Sequence, residues 1–418
     1  MSKIKHFFTH IFKRIFILLK WIVFASVSGA VIGLVCVGFY ELMHLAVHFR
    51  EGHNNIIFGL PFAGLAIVWF YNVLNSGGDK GTNLILASIS SDEKVPIKML
   101  PLIFVSTIVT HLFGGSAGRE GAALQIGGSL GSFFGGILRL DDKDRKVFIM
   151  CGMAAAFSAL FGTPVAAAVF SIEVISIGVV NYSALVPCAF AALTSNYIAS
   201  QFSVRGESFH IFSVSSFNVI NAGNALLLAC LCAGVSVLFC ILLHKAEELF
   251  RLIKNPYIRI FAGGCIIVGL TLLVGTQDYN GTSMNVIWRA VRGEVNPEAF
   301  ALKMLFTAIT LACGYKGGEI LPSLFIGATF GSFAGYVLGL SPSLCSAIGM
   351  VSVFCGVTNC PLASILLSVE MFGTEGLPYY FIAIAISYML SGYYGLYKTQ
   401  KFTISKYANE TVDRETHH

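Results

Sequence analysis

The stretch that decides the fold comprises residues 114–136, which read GGSAGREGAALQIGGSLGSFFGG. It is rich in glycine, it lies between apolar segments, and it holds Arg119 and Glu120 side by side. A charged side chain at membrane depth costs roughly 2.5–3.5 kcal/mol on insertion scales, so such groups persist where they face protein or a water-filled path. Arg119 and Glu120 are therefore the first functional candidates.

The composition excludes a soluble globule. Hydrophobic residues make up 56% of the 418 and charged residues 12%, about half the charged share of a soluble domain. The sequence therefore predicts an all-α polytopic membrane protein, and we recognise no cleavable signal peptide. The eleven cysteines form no CxxC or Cys/His cluster. We expect them to be reduced core residues, and we expect neither a metal site nor a cofactor.

Basic residues crowd the N-terminus, and phenylalanines and isoleucines lie between them at helical spacing. The basic residues are Lys3, Lys5, Lys13, Arg14 and Lys20. Under the positive-inside rule they predict a cytoplasmic N-terminus. We expect residues 1–20 to form an amphipathic helix on the inner leaflet. The apolar residues between the charges argue against an arm that binds nucleic acid.

The rest of the chain divides into two halves. We expect a first transmembrane repeat at 21–204, a polar linker at 205–221, a second transmembrane repeat at 222–398 and a short polar tail at 399–418. Several apolar pieces, such as 147–161 and 165–177, are shorter than the roughly 20 residues that cross a bilayer. Short, interrupted segments at corresponding places in two halves are typical of transporter binding sites.

The two halves are related in sequence. The matched segments are 125–135 with 325–335, 152–157 with 349–354, and 164–173 with 361–370. The first pair shares glycine at every fourth position, which permits close approach of a neighbouring backbone. We expect a pseudo-two-fold arrangement with the substrate at the repeat interface. Glu173 and Glu370, which end the last pair, are expected to hydrogen-bond backbone groups at a helix end.

Each half contains a glycine-rich turn that opens an apolar helix, at 118–121 and 317–322, and a third such turn lies at 78–83. A helix N-terminus offers unpaired N–H groups and the positive end of the helix dipole, which together bind anions. Pro322 suits the first turn of such a helix. Three of these N-termini meeting at mid-membrane would hold a small anion.

Glu120 would be a tethered anion at one of these N-termini. When ionised, its carboxylate can occupy the anion site, and when protonated it is neutral and can swing away. One residue would then compete with the anion and carry a proton. A structural salt bridge with Arg119 is the alternative, which we disfavour because neighbouring residues on a helix do not face each other.

The GREG motif at 118–121, the GGEILP turn at 317–322 and the duplicated Pro…Glu segments resemble the CLC family of anion channels and anion–proton antiporters, over about residues 22–397. The resemblance implies the CLC fold, with two inverted-topology halves and broken re-entrant helices. It also implies a homodimer that spans the plasma membrane several times and keeps both termini in the cytoplasm.

The resemblance also assigns roles to residues. It makes Glu120 the gating glutamate, gives backbone N–H donors at Ile320 and Leu321, and places Tyr397 at the inner gate, with Tyr393 and Tyr394 as rivals. The further anion-binding candidates are Lys80, Gly81, Arg119 and Gly121. We find no clear match to the family's internal proton glutamate, for which Glu207 is a weak candidate.

Three departures favour one branch of the family. Ala122 follows the GREG motif where the chloride pattern has proline, Lys80 stands at the position of the family's inner serine, and Glu319 stands where chloride transporters have a small or apolar residue. A Gly-Gly-Glu turn without that serine is similar to the fluoride–proton antiporter branch. Lys80 would be an anion ligand, a partner for Glu319, or a lysine that reaches water at the pore mouth.

These observations leave three functions to compare. A fluoride–proton antiporter that exports fluoride is favoured, with Glu120 and Glu319 as the proton-active residues. The alternative is a chloride-selective exchanger or passive channel on the same fold, which a cationic Lys80 would suit. An intramembrane enzyme is disfavoured because His111 has no accompanying HExxH motif or paired aspartate, and we expect His111 to be a packing residue.

Overall fold

The computed structural model describes residues 2–74, 81–91, 93, 95–204 and 206–416, and most of these residues are helical. The helices of the first half are α1 (Ser2–Glu51), α2 (Leu60–Val73), α3 (Thr82–Ser90), α4 (Met99–Leu112), α5 (Glu120–Ile137), α6 (Asp142–Phe161), α7 (Pro164–Glu173) and α8 (Leu185–Gln201). Those of the second half are α9 (Val219–Arg251), α10 (Pro256–Val274), α11 (Met284–Val291), α12 (Ala299–Cys313), α13 (Ile320–Leu338), α14 (Pro342–Thr358), α15 (Pro361–Phe372) and α16 (Leu377–Leu390). Single 3-10 turns precede α2 at Asn54–Gly59 and α8 at Tyr182–Ala184.

Within the described ranges, five helical segments are long and apolar enough to cross a membrane. They are His10–Glu51, Asn54–Val73, Val219–Arg251, Pro256–Val274 and Ile320–Leu338. Several other apolar helices are too short to span, among them α7 and α15 with 10 and 12 residues. The fold therefore combines full spans with broken ones, as the interrupted sequence pattern predicts.

The N-terminal region differs from the sequence prediction. α1 is one unbroken helix of 50 residues, about 75 Å long at 1.5 Å per residue. Residues 2–20 are therefore helical, as predicted, but they continue directly into the first span, and their place on the inner leaflet stays a prediction. No glycine or proline interrupts the chain near residue 20, and so nothing ends the helix there. Lys20 fixes this part of α1 by an ion pair of 3.3 Å with Asp144 at the start of α6.

The two halves are inverted relative to each other. The turns before α5 and α13 meet in an antiparallel bridge between Gly118 and Gly318. From there α5 runs toward the start of α6, where the Arg145 guanidinium donates to Ser132 Oγ at 3.0 Å. α13 runs the opposite way, toward the loop that holds Gly293. The bonds beside the bridge are also reciprocal, because Ser116 N donates to Thr310 Oγ1 and Lys316 N donates to Thr110 Oγ1.

The glycine stripes bring two helix pairs into backbone contact. A Cβ on Gly127 would lie 2.1 Å from the carbonyl oxygen of Gly152 on α6, and a Cβ on Gly327 would lie 2.3 Å from that of Gly349 on α14. Both distances are far below any real carbon–oxygen contact, so only glycine fits. The predicted close approach is confirmed in both halves.

Glu173 and Glu370 tie the two repeats together. Glu173 ends α7, and its carboxylate accepts hydrogen bonds from the N–H groups of Leu362 and Ala363 at the start of α15, at 3.0 and 2.8 Å. Glu370, near the end of α15, does the same for Val165 and Ala166 at the start of α7, at 3.0 and 2.8 Å. Each carboxylate satisfies N–H groups that a helix start leaves unpaired. The predicted structural role of both residues is confirmed.

The C-terminal segment is not a plain tail. Lys401–Ile404 (β2) pairs antiparallel with Thr411–Glu415 (β3) and parallel with Ser176–Ile177 (β1) after α7. Lys406, in the hairpin turn, donates to Asn359 Oδ1, to the Tyr388 carbonyl and to Ser391 Oγ. Burial lowers the pKa of the Lys406 ammonium to about 7. The hairpin therefore closes one end of the second half with a polar anchor that carries its full charge only below neutral pH.

Candidate functional site

The centre of the site is the contact between Gly118 and Gly318. Gly118 N donates to Gly318 O at 2.7 Å, and Gly318 N donates to Gly118 O at 2.8 Å. Gly121 packs on the same spot, since a Cβ there would lie 2.6 Å from Gly318 Cα. The N-termini of α5 and α13 are thereby held back to back, with no side chain between them.

The third predicted N-terminus joins this pair. α3 begins after Gly81, whose φ of +59° and ψ of −137° suit glycine. Thr82 Oγ1 lies 3.5 Å from the Gly121 carbonyl and accepts a bond from Gln125 Nε2 at 3.1 Å. The starts of α3, α5 and α13 therefore converge as predicted. Lys80, the predicted anion ligand before α3, lies outside the described residues.

Glu120 is the first residue of α5 and is fully buried, with 0% exposure. Neither carboxylate oxygen has a hydrogen-bond partner in the described part of the chain. The side chain folds back over Gly118, where a Cβ would lie 2.7 Å from Glu120 Oε2. A buried carboxylate without a hydrogen bond is unfavourable unless it is protonated or exchanges with another anion.

Arg119 contacts Glu120 despite being its neighbour in sequence. Arg119 Nε lies 3.3 Å from Glu120 Oε1, yet neither atom forms an aligned hydrogen bond with a described residue. The ion pair disfavoured from the sequence does form, because Arg119 precedes the helix rather than lying within it. The contact is therefore an ion pair without an aligned hydrogen bond.

The guanidinium of Arg119 is fixed by other groups. Arg119 Nη2 lies 3.1 Å from Glu207 Oε1 and 3.5 Å from the Leu160 carbonyl oxygen. The guanidinium also lies over the ring of Tyr40, 5.0 Å from its centroid. We expected Arg119 to bind the anion. Its guanidinium instead contacts two carboxylates, those of Glu120 and Glu207.

Two cavities approach the centre from opposite ends of the molecule. The first vestibule, about 340 Å³, includes Tyr40 and Glu51 at the C-terminal end of α1, Arg119, Glu207 and residues 277–285. The second vestibule, about 200 Å³, includes Gly81, Gln125, Glu247, Glu319 and Tyr397. The two vestibules lie at opposite ends of α10. This helix begins shortly after Glu247 of the second vestibule, and it ends at Val274, just before Gln277 of the first. Glu120 lines neither vestibule and lies between them.

Glu319 and Tyr397 face the second vestibule together. Glu319 is the residue before α13, the position that Arg119 holds before α5. The Tyr397 hydroxyl is buried and has no partner among the described atoms. Its two rivals lie elsewhere: Tyr393 Oη is 3.1 Å from Ser405 Oγ in the hairpin, and Tyr394 packs against the core. Of the three tyrosines, Tyr397 is thus the one that lines the second vestibule.

Ile320 and Leu321 begin α13 and are buried. Their N–H groups belong to the first turn, which has no partners within the helix. The next bond along, Ser323 N to Glu319 O at 3.1 Å, is already helical. Both N–H groups therefore lie beside the bridge, and their role as anion donors stays a prediction.

The structure corrects the role predicted for Glu207 and adds Thr82 and Gln125 to the residues at the centre. Glu207 was the weak candidate for an internal proton glutamate, but it lies at the first vestibule, on the opposite side from Tyr397. Thr82 and Gln125 reach the centre without having been predicted. Gln125 Oε1 is buried without a partner in the described structure, and a polar residue within a glycine-rich apolar helix was the available signal.

His111 is a packing residue, as predicted. It is fully buried, with Nδ1 2.8 Å from the Thr107 carbonyl oxygen and Nε2 3.0 Å from that of Ala117. Both ring nitrogens therefore face backbone acceptors, and neither is directed at a substrate-sized space.

Two inverted repeats with broken helices, whose N-termini meet between opposed vestibules, define a membrane transport protein. The chain belongs to the voltage gated chloride channel family, whose model matches residues 62–392. The family and fold predicted from the sequence are confirmed.

Named relatives extend the comparison. The chain is 35% identical over 401 residues to a "Chloride/fluoride channel protein" of Pseudomonas syringae pv. tomato, covering 93% of this chain and 88% of the relative. It is 27% identical over 295 residues to an "H(+)/Cl(-) exchange transporter ClcA" of Vibrio cholerae, covering 66% of this chain and 62% of the relative.

Solved structures agree in fold. A crystal structure of a CLC-type fluoride/proton antiporter matches with a TM-score of 0.89 and 30% identity, covering 93% of this chain and 99% of that one. A slow cyanobacterial Cl−/H+ antiporter matches with a TM-score of 0.77 and 19% identity, covering 89% and 94%. The second likeness concerns the fold alone.

Proposed function

We propose that this protein is a secondary active transporter that exchanges fluoride for protons and so exports fluoride. The observation that carries the proposal is the state of Glu120. It is fully buried between two vestibules, and both of its carboxylate oxygens lack a hydrogen-bond partner among the described residues. A group in that position can bind a proton from one side and exchange places with an anion from the other.

Glu120 is the gate in this mechanism. Ionised, it occupies the space over Gly118 and is stabilised by Arg119 and the α5 N-terminus. Protonated, it loses both attractions and can rotate out. An anion then takes its place at the N–H groups of Ile320 and Leu321. Return of the carboxylate expels the anion and requires loss of the proton, which couples the two fluxes in opposite directions.

The second vestibule suits fluoride. Fluoride is small, strongly hydrated and a strong hydrogen-bond acceptor, so it needs donors to replace its water. Glu319 when protonated, the Tyr397 hydroxyl and the N–H groups of α13 can supply them. Gly81, which lines the same vestibule, leaves the backbone open beside them, and Gly121 is a further proposed donor at the start of α5. Lys80 is a further proposed ligand. Two similar proteins, the chloride/fluoride channel protein of Pseudomonas syringae and the CLC-type fluoride/proton antiporter, support this choice.

Charge distribution supports an orientation in the plasma membrane. The basic side chains at the second-vestibule end include Lys20, Lys143, Arg145, Lys146, Lys245, Arg251, Lys398, Lys401, Lys406 and Arg414. Fewer lie at the other end, namely Arg50, Arg119, Arg289, Arg292 and the buried Lys303. By the positive-inside rule the second vestibule and both termini face the cytoplasm. We propose that 21–204 and 222–398 are the two repeats of each subunit, and that two subunits form a homodimer, as the family resemblance implies.

The other functions have weaker support. A chloride exchanger or passive anion channel would use the same N-termini. Chloride flux must therefore be measured as well, because the similar Vibrio cholerae protein is an H(+)/Cl(-) exchange transporter. An intramembrane enzyme loses its candidate residue because both ring nitrogens of His111 face backbone carbonyls.

The test is flux from proteoliposomes that hold the full-length protein, followed with fluoride, chloride and pH electrodes. We expect fluoride efflux to drive proton uptake, with little chloride flux. Glu120→Gln, which cannot ionise, should abolish proton uptake, while Glu298→Gln at an exposed position should behave as wild type. Comparable chloride flux would overturn the fluoride assignment, and proton coupling that survives in Glu120→Gln would overturn the role of Glu120.

A further inference from the structure

A second carboxylate is joined to the gate through Arg119. Glu207 Oε1 lies 3.1 Å from Arg119 Nη2, and Arg119 Nε lies 3.3 Å from Glu120 Oε1. One guanidinium therefore bridges a carboxylate that borders the first vestibule and a carboxylate that is fully buried. The Glu207 side chain is 18% exposed, against 1% for Glu120. Solvent therefore reaches Glu207 but hardly reaches Glu120.

The backbone fixes Glu207 in this place. Glu207 N donates to the Phe161 carbonyl at the end of α6, at 3.2 Å. Gly206 packs so closely that a Cβ there would lie 2.3 Å from that same carbonyl oxygen. Phe209 N continues the attachment by donating to the Met371 carbonyl at 2.8 Å. Glu207 is therefore held at a defined distance from Arg119, unlike a flexible surface ion pair, which contributes little.

Among the described residues, the other ionisable groups that line the first vestibule form no ion pair with Arg119. The ionisable residues that line it besides Arg119 and Glu207 are Tyr40, His44, Arg50, Glu51 and Asp278. Asp278 pairs with Arg289, and the Arg50 guanidinium donates to the His111 carbonyl at 3.1 Å. Tyr40 packs under Arg119 through its ring. In the described structure, Glu207 and Glu120 are the carboxylates in ion-pair contact with Arg119.

We propose that Glu207 is a positioning residue that acts on the gate through Arg119. By taking a share of the guanidinium, its carboxylate limits how strongly Arg119 holds the ionised form of Glu120. Protons that arrive through the first vestibule can then protonate Glu120 and so produce its mobile form. The inference deepens the proposed fluoride–proton exchange and rests on it.

The test compares three variants in oriented proteoliposomes while the pH on the first-vestibule side is varied. Glu207→Gln removes the charge and keeps the size of the side chain. Arg119 then interacts with Glu120 alone, which favours the ionised form of the gate. The pH midpoint of exchange should therefore move down by about half a unit. Glu207→Asp keeps the charge at a shorter reach and should lie between the two. Glu298→Gln removes an exposed carboxylate that neither lines the vestibule nor pairs with Arg119, and it should match wild type.

Failure of this inference and failure of the proposed function give different results. If wild type couples fluoride to protons but Glu207→Gln keeps the wild-type midpoint, the inference is overturned and the function stands. If wild type does not couple the two ions, infrared titration decides, with the carboxyl band of Glu120 identified by its loss in Glu120→Gln. A downward shift of that band's midpoint in Glu207→Gln supports the inference, and an unchanged midpoint overturns it. If Glu207→Gln does not fold, the intermediate midpoint of Glu207→Asp carries the test.

Discussion

Gly118 and Gly318 exchange both of their backbone hydrogen bonds across the axis that relates the two repeats, at 2.7 and 2.8 Å. Their N–H groups are therefore occupied and are not available to an anion. The donors that remain are those of the first turns of α5 and α13. The bridge thus divides the backbone at the centre into a part that joins the repeats and a part that can bind.

The bridge depends on having no side chain at Gly121. In Gly121→Ala the new methyl group would lie 2.6 Å from Gly318 Cα, so the repeats must separate. We expect a loss of about 1–3 kcal/mol in stability and loss of fluoride flux. Gly136→Ala is the matched control, because nothing lies within 4 Å of a Cβ there on the same helix. Thermal unfolding in detergent measures both, and an equal effect of the two variants would contradict the close contact.

Glu319 is expected to act in transport rather than in folding. Its side chain lines the second vestibule, and a glutamine there keeps the size but cannot change charge. Glu319→Gln should slow fluoride exchange about tenfold, which corresponds to about 1.4 kcal/mol on the barrier, and should leave the unfolding temperature unchanged. Glu248→Gln, at an exposed position paired with Lys245, is the control. A wild-type flux in Glu319→Gln would remove Glu319 from the mechanism.

Tyr397 and Tyr393 make opposite predictions for the same change. Tyr397→Phe removes a hydroxyl that has no partner within the described structure, so stability should hold while fluoride flux falls. Tyr393→Phe removes the contact with Ser405, so stability should fall by about 0.5–1.5 kcal/mol while flux per folded molecule holds. Unfolding curves and flux assays on the two variants separate these outcomes. If both lost stability alone, Tyr397 would not be the inner gate.

Glu173 should be a stability residue. Glu173→Ala leaves the N–H groups of Leu362 and Ala363 without their acceptor at the start of α15. The expected loss is about 1.5–3 kcal/mol, as for hydrogen bonds to a charged group. Glu375→Ala, at an exposed position after α15, is the control and should cost less than about 0.5 kcal/mol. A Glu173→Ala protein that unfolds at the wild-type temperature would show that the contact is not needed.

The sequence by itself determined the membrane class, the two repeats and the turns that open α5 and α13. Composition sets the class because charged residues are costly in lipid. The glycine period predicts close packing because only glycine leaves room for a neighbouring backbone. The same local logic identified Glu120 as the gate candidate and Glu173 with Glu370 as helix-end partners. None of these conclusions requires knowing where distant segments lie.

The tertiary structure alone decided the direction of the second repeat and the partners of each charge. Sequence similarity is the same for parallel and inverted halves, and the bridge of Gly118 with Gly318 distinguishes them. Glu207 lies 88 residues from Arg119 in sequence, so no local pattern could pair them, and Tyr397 could be separated from Tyr393 only by their surroundings. The C-terminal hairpin was missed because its pairing with the distant β1 decides it. The unbroken α1 was missed although the signal is local, since no glycine or proline lies near residue 20. Helix starts and close contacts are encoded locally, whereas the partner of a buried charge is set by which distant segments the fold brings together.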